Sequence, residues 1–259
     1  MRLVALLGFQ CVDIGLFLNS SADVKRFVGE SVKLSRGICE QVELCHLEPA
    51  DLFLIVGGDD FVEGAVNSVN PIRRAEMREI FRLGVRAAQD VGLRGLSILP
   101  GVTWPDQPAA GWTTAVSELS FRVDVGAQHG IEVRIEPHIG SIVSTPELVL
   151  ELLDEVPGLR LTFDPGHFVF QAIEADRMLP LVPLATHVHV SAAKPGAVHV
   201  AWSQNTVDFA RIVTALEQSG FSGQYCVEYV PMSKWGADST DILGAITATR
   251  DVISDLLKL

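Results

Sequence analysis

Four short apolar runs decide the fold of this chain: GIEVRIEPH (130–138), LRLTFDPGH (159–167), ATHVHVSAAK (185–194) and GQYCVEYVP (223–231). Within each run apolar and polar residues alternate, as they do along a β-strand. Each run also delivers, where its strand ends, a residue type that binds metal ions: Glu136, Asp164, His189 and Glu228. One such residue at a strand end is ordinary. Four in succession, one per βα unit, are what a barrel with a metal at its carboxyl-terminal mouth requires.

Apolar runs of strand length alternate with amphipathic stretches of helix length along the whole chain. The earlier strands are expected at 10–17, 52–58 and 93–101. Helices are expected at 71–91, 111–128, 146–155, 206–219 and 240–258, with a less regular one within 30–46. This alternation predicts βα units around a parallel sheet.

The polar residues of the late strands fall on one face, as Glu132, Arg134 and Glu136 do in the first of them. A doubly wound sheet is covered by helices on both faces, so both faces should be apolar. A closed barrel with a polar interior fits this pattern better. We therefore predict a single (β/α)8 TIM-barrel domain over residues 1–259.

The first strand of this barrel is expected to be missing or atypical, because seven strands are recognisable where eight are needed. MRLVALL (1–7) is either a strand itself or the first helix. Only Gly8 and Phe9 separate it from the next strand, which is too little for a βα crossover and favours the helix. The barrel would then be incomplete, so we expect a homo-oligomer or another association that covers the gap.

The composition excludes several classes of partner. The 259 residues carry a formal net charge of −12, which argues against a nucleic acid. The four cysteines contain no C-x-x-C pair, which predicts reduced thiols in a cytoplasmic protein. No apolar run is long enough to span a bilayer, so no membrane partner is expected.

The four strand-end residues make an oxygen-rich ligand set of three carboxylates and one imidazole. This set suits one divalent ion, with Mn²⁺ preferred and Mg²⁺, Co²⁺ or Zn²⁺ as alternatives. Structural zinc sites, in contrast, favour thiolates and more imidazoles. Three carboxylates around one dication leave a net negative shell, which favours a neutral sugar or polyol over a phosphate. Each residue taken alone has an ordinary structural explanation, so their joint placement carries the prediction.

The segments EPH (136–138), DPGH (164–167) and HVHV (187–190), with Glu228 on a late strand, resemble the xylose isomerase-like TIM barrels. That superfamily, with its sugar phosphate isomerase/epimerase family, holds sugar isomerases, ketose 3-epimerases, inosose and dehydroshikimate dehydratases, and endonuclease IV-type repair enzymes. Residues 1–9 resemble the first helix of the family. The resemblance implies that His167 binds substrate and that the metal is held by Glu136, Asp164, His189 and Glu228.

The resemblance implies a metal-dependent isomerase or epimerase of carbohydrate metabolism, acting on a sugar or a keto-polyol. Glu136 and Glu228 would exchange a proton next to the substrate carbonyl through an enediolate. Further candidates for substrate contacts are His138, Lys194 and Trp104. Trp235 is a second tryptophan that could line the pocket against one face of a sugar.

Two departures from the family pattern bear on function. Ketose 3-epimerases usually carry an Arg shortly after the barrel histidine, where this chain has Pro195 next to Lys194. The repair enzymes carry an additional histidine where this chain has Leu99. The first alternative function is a lyase on the same metal site, either an inosose- or dehydroshikimate-type dehydratase or an enzyme that cleaves C-glycosides through a carbanion. The alternative from another class is a non-catalytic accessory barrel.

Overall fold

A computed structural model describes residues 1–57, 61–230, 235–237 and 241–258. The chain forms two compact units. The first comprises Met1–Glu136, Gly140–Ile142 and Leu152–Arg160, and the second comprises Pro137–Ile139, Val143–Glu151 and the described part of Leu161–Leu259. The single domain over residues 1–259 stays a prediction.

Helices and strands alternate along the described chain, as the sequence predicts. Their order is α1 Arg2–Leu6, β1 Cys11–Leu18, α2 Ser21–Cys45, β2 Glu48–Val56, α3 Pro71–Val91, β3 Gly95–Ile98, α4 Pro108–Gln128, β4 Glu132–Ile135, α5 Pro146–Glu155, β5 Arg160–Phe163, α6 Pro165–Phe170, α7 Ala175–Met178, β6 Ala185–Val190, β7 Ala193–Lys194, β8 Ala197–Val198, α8 Phe209–Ser219, β9 Tyr225–Val227 and α9 Ile242–Leu257. Two 3₁₀ helices lie at Leu179–Leu184 and Trp202–Gln204. None of the described helices is long and apolar enough to cross a membrane.

The first unit contains four parallel strands in the order β1-β2-β3-β4. Helix α3 packs onto them so closely that a Cβ at Gly84 would lie 3.0 Å from Leu54 and 3.3 Å from Leu96. Segment MRLVALL forms helix α1 over Arg2–Leu6, which confirms the helical prediction for it. The first strand of the described chain, β1, follows this helix.

The second unit contains three parallel strands in the order β5-β6-β9. All three are shorter than the predicted runs, and the run at 223–231 gives only Tyr225–Val227. The strand predicted for 159–167 ends at Phe163, because Asp164 caps helix α6 and Pro165 occupies the first helical position. The strand predicted for 185–194 ends at Val190, and its last two residues form β7 of an antiparallel pair with β8.

Capping chemistry explains which helix bounds the sequence predicts well. Helix α3 has the predicted bounds, because the Asn70 side chain caps it, Pro71 opens it and Gly92, with φ +79°, ends it. The helix predicted within 30–46 begins earlier, since the Ser20 hydroxyl accepts a hydrogen bond from the Asp23 amide. Helix α8 begins at Phe209, three residues after the predicted start, because its cap is Asp208.

A buried ion network lies under the strands of the first unit. The Arg134 guanidinium donates to Asp51 Oδ1 at 2.7 Å and pairs with Glu132 Oε1 at 2.7 Å. The Ser97 hydroxyl donates to the other oxygen of Asp51. A Cβ at Gly95 would overlap the Arg134 guanidinium, so the glycine provides its space. Arg134 is the cation that contacts both Asp51 and Glu132, so its loss would leave the buried Asp51 carboxylate without this partner.

Replacing Arg134 with Met is expected to lower the free energy of unfolding by about 3–5 kcal/mol, because the buried Asp51 loses its cationic partner. Urea denaturation followed by circular dichroism measures the change. The matched control is Arg82→Met, which removes a half-exposed partner of Glu79 and should cost less than about 1 kcal/mol. Equal losses in the two variants would contradict a stabilising role for the network.

Candidate metal and substrate site

Asp164 is held rigidly at the end of β5. Its Oδ1 atom accepts a hydrogen bond of 2.7 Å from the Gly166 amide, which caps helix α6. A Cβ at position 166 would lie 2.9 Å from this Oδ1 and 3.3 Å from Ser191 Oγ, so the turn needs glycine. The other oxygen, Oδ2, lies 4.0 Å from His167 Nε2. The carboxylate is thus buried and fixed in orientation by the helix it caps.

His189 and Glu228 form a contact between neighbouring strands. His189 lies in β6, and Glu228 follows β9 directly, with its amide donating to the Val190 carbonyl at 3.1 Å. This pairing brings His189 Nδ1 to 3.2 Å from Glu228 Oε2. Burial by itself would raise the pKa of Glu228. The imidazole of His189, with those of His199 and His167, outweighs burial and lowers that pKa to about 2. Glu228 is therefore an ionised carboxylate at neutral pH.

His167 lies in α6, one turn after Asp164, and is buried. Its burial, with the nearby imidazoles of His138 and His199, lowers its pKa to about 3, so the ring is neutral at physiological pH. Among the described residues, its Nδ1 atom has no hydrogen-bond partner. The backbone is fixed by Gln171, whose side-chain amide donates to the His167 carbonyl at 3.1 Å. Leaving a buried polar atom without a hydrogen-bond partner costs free energy. Such an atom in a protein is therefore often one that binds a ligand.

Three rings line one side of this region. The ring centroids of His138, His167 and Trp235 lie 6.2 Å apart in each of the three pairs. His138 Nδ1 contacts the Ile139 carbonyl at 2.9 Å, which makes Nδ1 the protonated nitrogen if the ring is neutral. The His167 and Trp235 rings are perpendicular, at 89°. The three rings form a compact wall of aromatic surface beside the carboxylate of Asp164.

His199, which is not among the predicted site residues, contacts the backbone of Glu228. Its Nδ1 atom lies 3.1 Å from the Glu228 carbonyl, and its ring centroid lies 5.8 Å from that of Tyr229. Burial lowers the pKa of His199, while Glu228 opposes this effect. The residue has a positive φ of 52°. In the sequence, His199 roughly matches a later ligand of the endonuclease IV-type enzymes, but Ala197 stands where its acidic partner would be expected.

The other predicted residues have local contacts of their own. Lys194 is half-exposed in β7 and donates to Gln204 Oε1 at 2.5 Å. Trp104 lies in the first unit, where its indole N–H donates to the Asn67 carbonyl at 2.8 Å. Glu136 is buried directly after β4, and its amide donates to the Ile98 carbonyl at 3.0 Å. The roles predicted for these three residues stay predictions.

The second unit thus brings together five of the predicted site residues: His138, Asp164, His167, His189 and Glu228. Ligand atoms of Asp164 and His167 lie within 4.8 Å of each other, as do those of His189 and Glu228. The two pairs also interact electrostatically, because Glu228 and His189 both act on the pKa of His167. Carboxylate oxygens and neutral imidazole nitrogens are suitable ligands for a divalent ion of the Mn²⁺ or Mg²⁺ class.

A family model described as "Xylose isomerase-like TIM barrel" matches residues 1–248 of the chain. L-ribulose-5-phosphate 3-epimerase UlaE of Escherichia coli (strain K12 / DH10B) is 25% identical over 199 residues. The alignment covers 69% of this chain and 63% of that relative, so the chain spans less than two thirds of the relative's length.

Solved structures show the same fold at lower identity. A D-tagatose 3-epimerase-like protein superposes with a TM-score of 0.77 at 18% identity, covering 100% of this chain and 92% of the other. The IOLI protein with a bound zinc atom superposes with a TM-score of 0.71 at 17% identity, and the superposition covers 99% of this chain and 91% of the other.

Proposed function

The chain belongs to the xylose isomerase-like TIM barrel family, as its sequence predicts, and we propose that it is a divalent-metal-dependent sugar epimerase or isomerase. The observation that carries the proposal is the contact between buried His189 and half-buried Glu228, with an ionised carboxylate, beside Asp164 and His167. The epimerase name of the curated relative supports the same reaction class.

We propose that Glu136, Asp164, His189 and Glu228 hold one divalent ion. The chemistry of these donors supports Mn²⁺ as the preferred ion, with Mg²⁺, Co²⁺ or Zn²⁺ as alternatives. A structural neighbour carries zinc, which supports a metal at this type of site. A bound divalent ion acts as a Lewis acid on a substrate carbonyl and offsets the negative charge that develops on its oxygen.

The chain's own residues carry the proton transfer in this proposal. Glu228 is unprotonated at neutral pH, which is the state a general base needs when it removes a proton from the carbon next to the carbonyl. Glu136 returns a proton to the opposite face of that carbon, which inverts its configuration. His167 presents Nδ1 to a substrate hydroxyl and holds the sugar in position for both steps.

We propose that the substrate is a neutral ketose or keto-polyol. Carboxylates dominate the proposed ligand set, so an added phosphate would be repelled. The ring wall of His138, His167 and Trp235 offers apolar surface for the C–H face of a sugar. Lys194 and Trp104 are proposed as further substrate contacts, because Trp104 lies in the loop after β3 and Lys194 lies in the short strand β7 that follows β6.

We also propose that copies of the chain associate through the face around α1 and α2. Leu6 is 84% exposed, Val32 67% and Leu3 54%, and most of the exposed large apolar side chains of the described residues belong to α1, β1 and α2. Exposed apolar side chains in one part of a surface indicate an interaction surface. Light scattering of the purified protein measures the assembly state, and a monomer at all concentrations would contradict the association.

The reaction is tested by incubating the protein with neutral ketoses in D₂O and following the products by NMR. We expect the 3-epimer of at least one ketose, with one deuterium at the inverted carbon, because the proton passes through a carboxylate that exchanges with solvent. An unsaturated product formed by loss of water would indicate the lyase instead. Absence of both conversion and deuterium exchange would contradict the enzyme proposal and favour an accessory barrel.

A further inference from the structure

We propose that His187, His189 and Cys226 form a second cation site, which takes a thiophilic ion of the Zn²⁺ and Cd²⁺ class. The three residues lie in the second unit, on strands β6 and β9. Each offers one ligand atom, and these atoms lie within 4.8 Å of one another. That spacing brings the three atoms close enough for a single ion to contact all of them after small side-chain movements, since Zn–N and Zn–S bonds are about 2.0–2.3 Å long.

Strand geometry explains why the three side chains meet. His187 and His189 are two residues apart in β6, so their side chains point to the same face of the sheet. Cys226 is the residue of β9 that pairs with His189, and it points to that same face. The two imidazole rings lie 5.3 Å apart and are perpendicular, at 82°. The cluster therefore follows from the pairing of two rigid strands and does not depend on a loop.

The donors of this site differ from those proposed for the sugar site. Two imidazoles and a thiolate suit Zn²⁺, Cd²⁺ or Cu⁺, whereas Mg²⁺ and Mn²⁺ prefer oxygen ligands. Both histidines are buried, at 1% and 2% exposure, while Cys226 is half-exposed. An ion can therefore reach the site from the side of the thiol. When it binds, the thiol releases its proton to solvent.

The two sites share His189. An ion bound by His187, His189 and Cys226 would place a second positive charge on His189, whose Nδ1 atom lies 3.2 Å from Glu228 Oε2, and this charge would repel a divalent ion at the sugar site. Thiophilic ions should therefore weaken Mn²⁺ binding at the sugar site and lower activity. This consequence rests on the proposed function, but the cation site itself does not.

Titration of the metal-free full-length protein with CdCl₂ tests the site, with the near-ultraviolet charge-transfer absorption of Cd–thiolate bonds as the readout. We expect saturation at one Cd–thiolate bond per chain. Cys226→Ser should abolish the signal. His187→Asn should weaken Cd²⁺ binding by at least about tenfold, the lower end of what losing even an outer-shell partner costs a metal site.

The matched control is Cys45→Ser, which removes another half-exposed thiol and should leave the signal unchanged. Cys226→Ala, checked for folding by circular dichroism, repeats the test if the Ser variant does not fold. Absence of the signal in the wild type, or its persistence in both Cys226 variants, would overturn the proposal. Glu228→Gln should retain the signal, so a failure of the epimerase assay alone leaves this site standing.

Discussion

Replacing Glu228 with Gln is expected to lower kcat by about 10²–10⁴-fold, the usual contribution of a general acid or base. The amide has nearly the same shape as the carboxylate, but it cannot accept the substrate proton. The residue is ionised and lies 3.2 Å from His189, so the substitution removes a charge from the centre of the site. Steady-state kinetics with the ketose identified in the D₂O experiment measures the change.

The matched control for this variant is Glu151→Gln, an exposed glutamate of helix α5. It changes the net charge by the same amount and should leave kcat within about twofold, as exposed substitutions away from a site usually have small effects. Circular dichroism should show that both variants fold. If Glu228→Gln retains wild-type turnover, the proton transfer between two glutamates is wrong.

Removing the proposed divalent ion with a chelator should produce the second large effect. Turnover should fall by about 10²–10⁴-fold, because a Lewis acid contributes several kcal/mol to transition-state stabilisation. The free energy of unfolding should also fall, by about 2.7 kcal/mol if the ion had been present at 100 times its Kd. The physical reason is that buried Asp164 and half-buried Glu228 would lose the positive charge that offsets theirs. Activity and thermal denaturation, before and after adding Mn²⁺, measure both effects.

The Glu151→Gln variant serves as the reference here too, since it should respond to the chelator as the wild type does. Adding Mn²⁺ should restore both activity and stability, which separates loss of the ion from damage to the protein. The metal-dependent mechanism would be contradicted if turnover stayed at the wild-type level in excess chelator while the metal content lay below detection.

The sequence predicts those parts of the fold that local chemistry decides. Helix α3 is predicted to the residue because a cap, a proline and a glycine mark its ends. The start of helix α2 is missed because Ser20 and Asp23 lie before the periodic stretch that marks the helix. The run at 159–167 looks like one long strand, because its alternation of apolar and polar residues continues past the point where Asp164 and Pro165 start a helix.

The same division holds for the candidate site. Asp164, His189 and Glu228 are predicted as site residues because each follows or ends an apolar strand, and the second unit brings them together with His167. His199 and the cluster of His187 with Cys226 depend on contacts between segments far apart in the chain. Alternation places His187 and Cys226 on the inner face of their strands, but the register between β6 and β9 decides that Cys226 meets His189.

The metal content of the natively purified protein, compared with that of Glu136→Ala, tests the central claim most directly. Both samples are also reconstituted with Mn²⁺, an ion that the thiol-containing site disfavours, and Glu151→Ala is the control. We predict nearly one Mn, Co, Mg or Zn ion per chain in the wild type and the control, and its loss in Glu136→Ala. If neither the wild type nor the variant carries metal, even after reconstitution, the inward polar residues are structural and the proposed enzyme is contradicted.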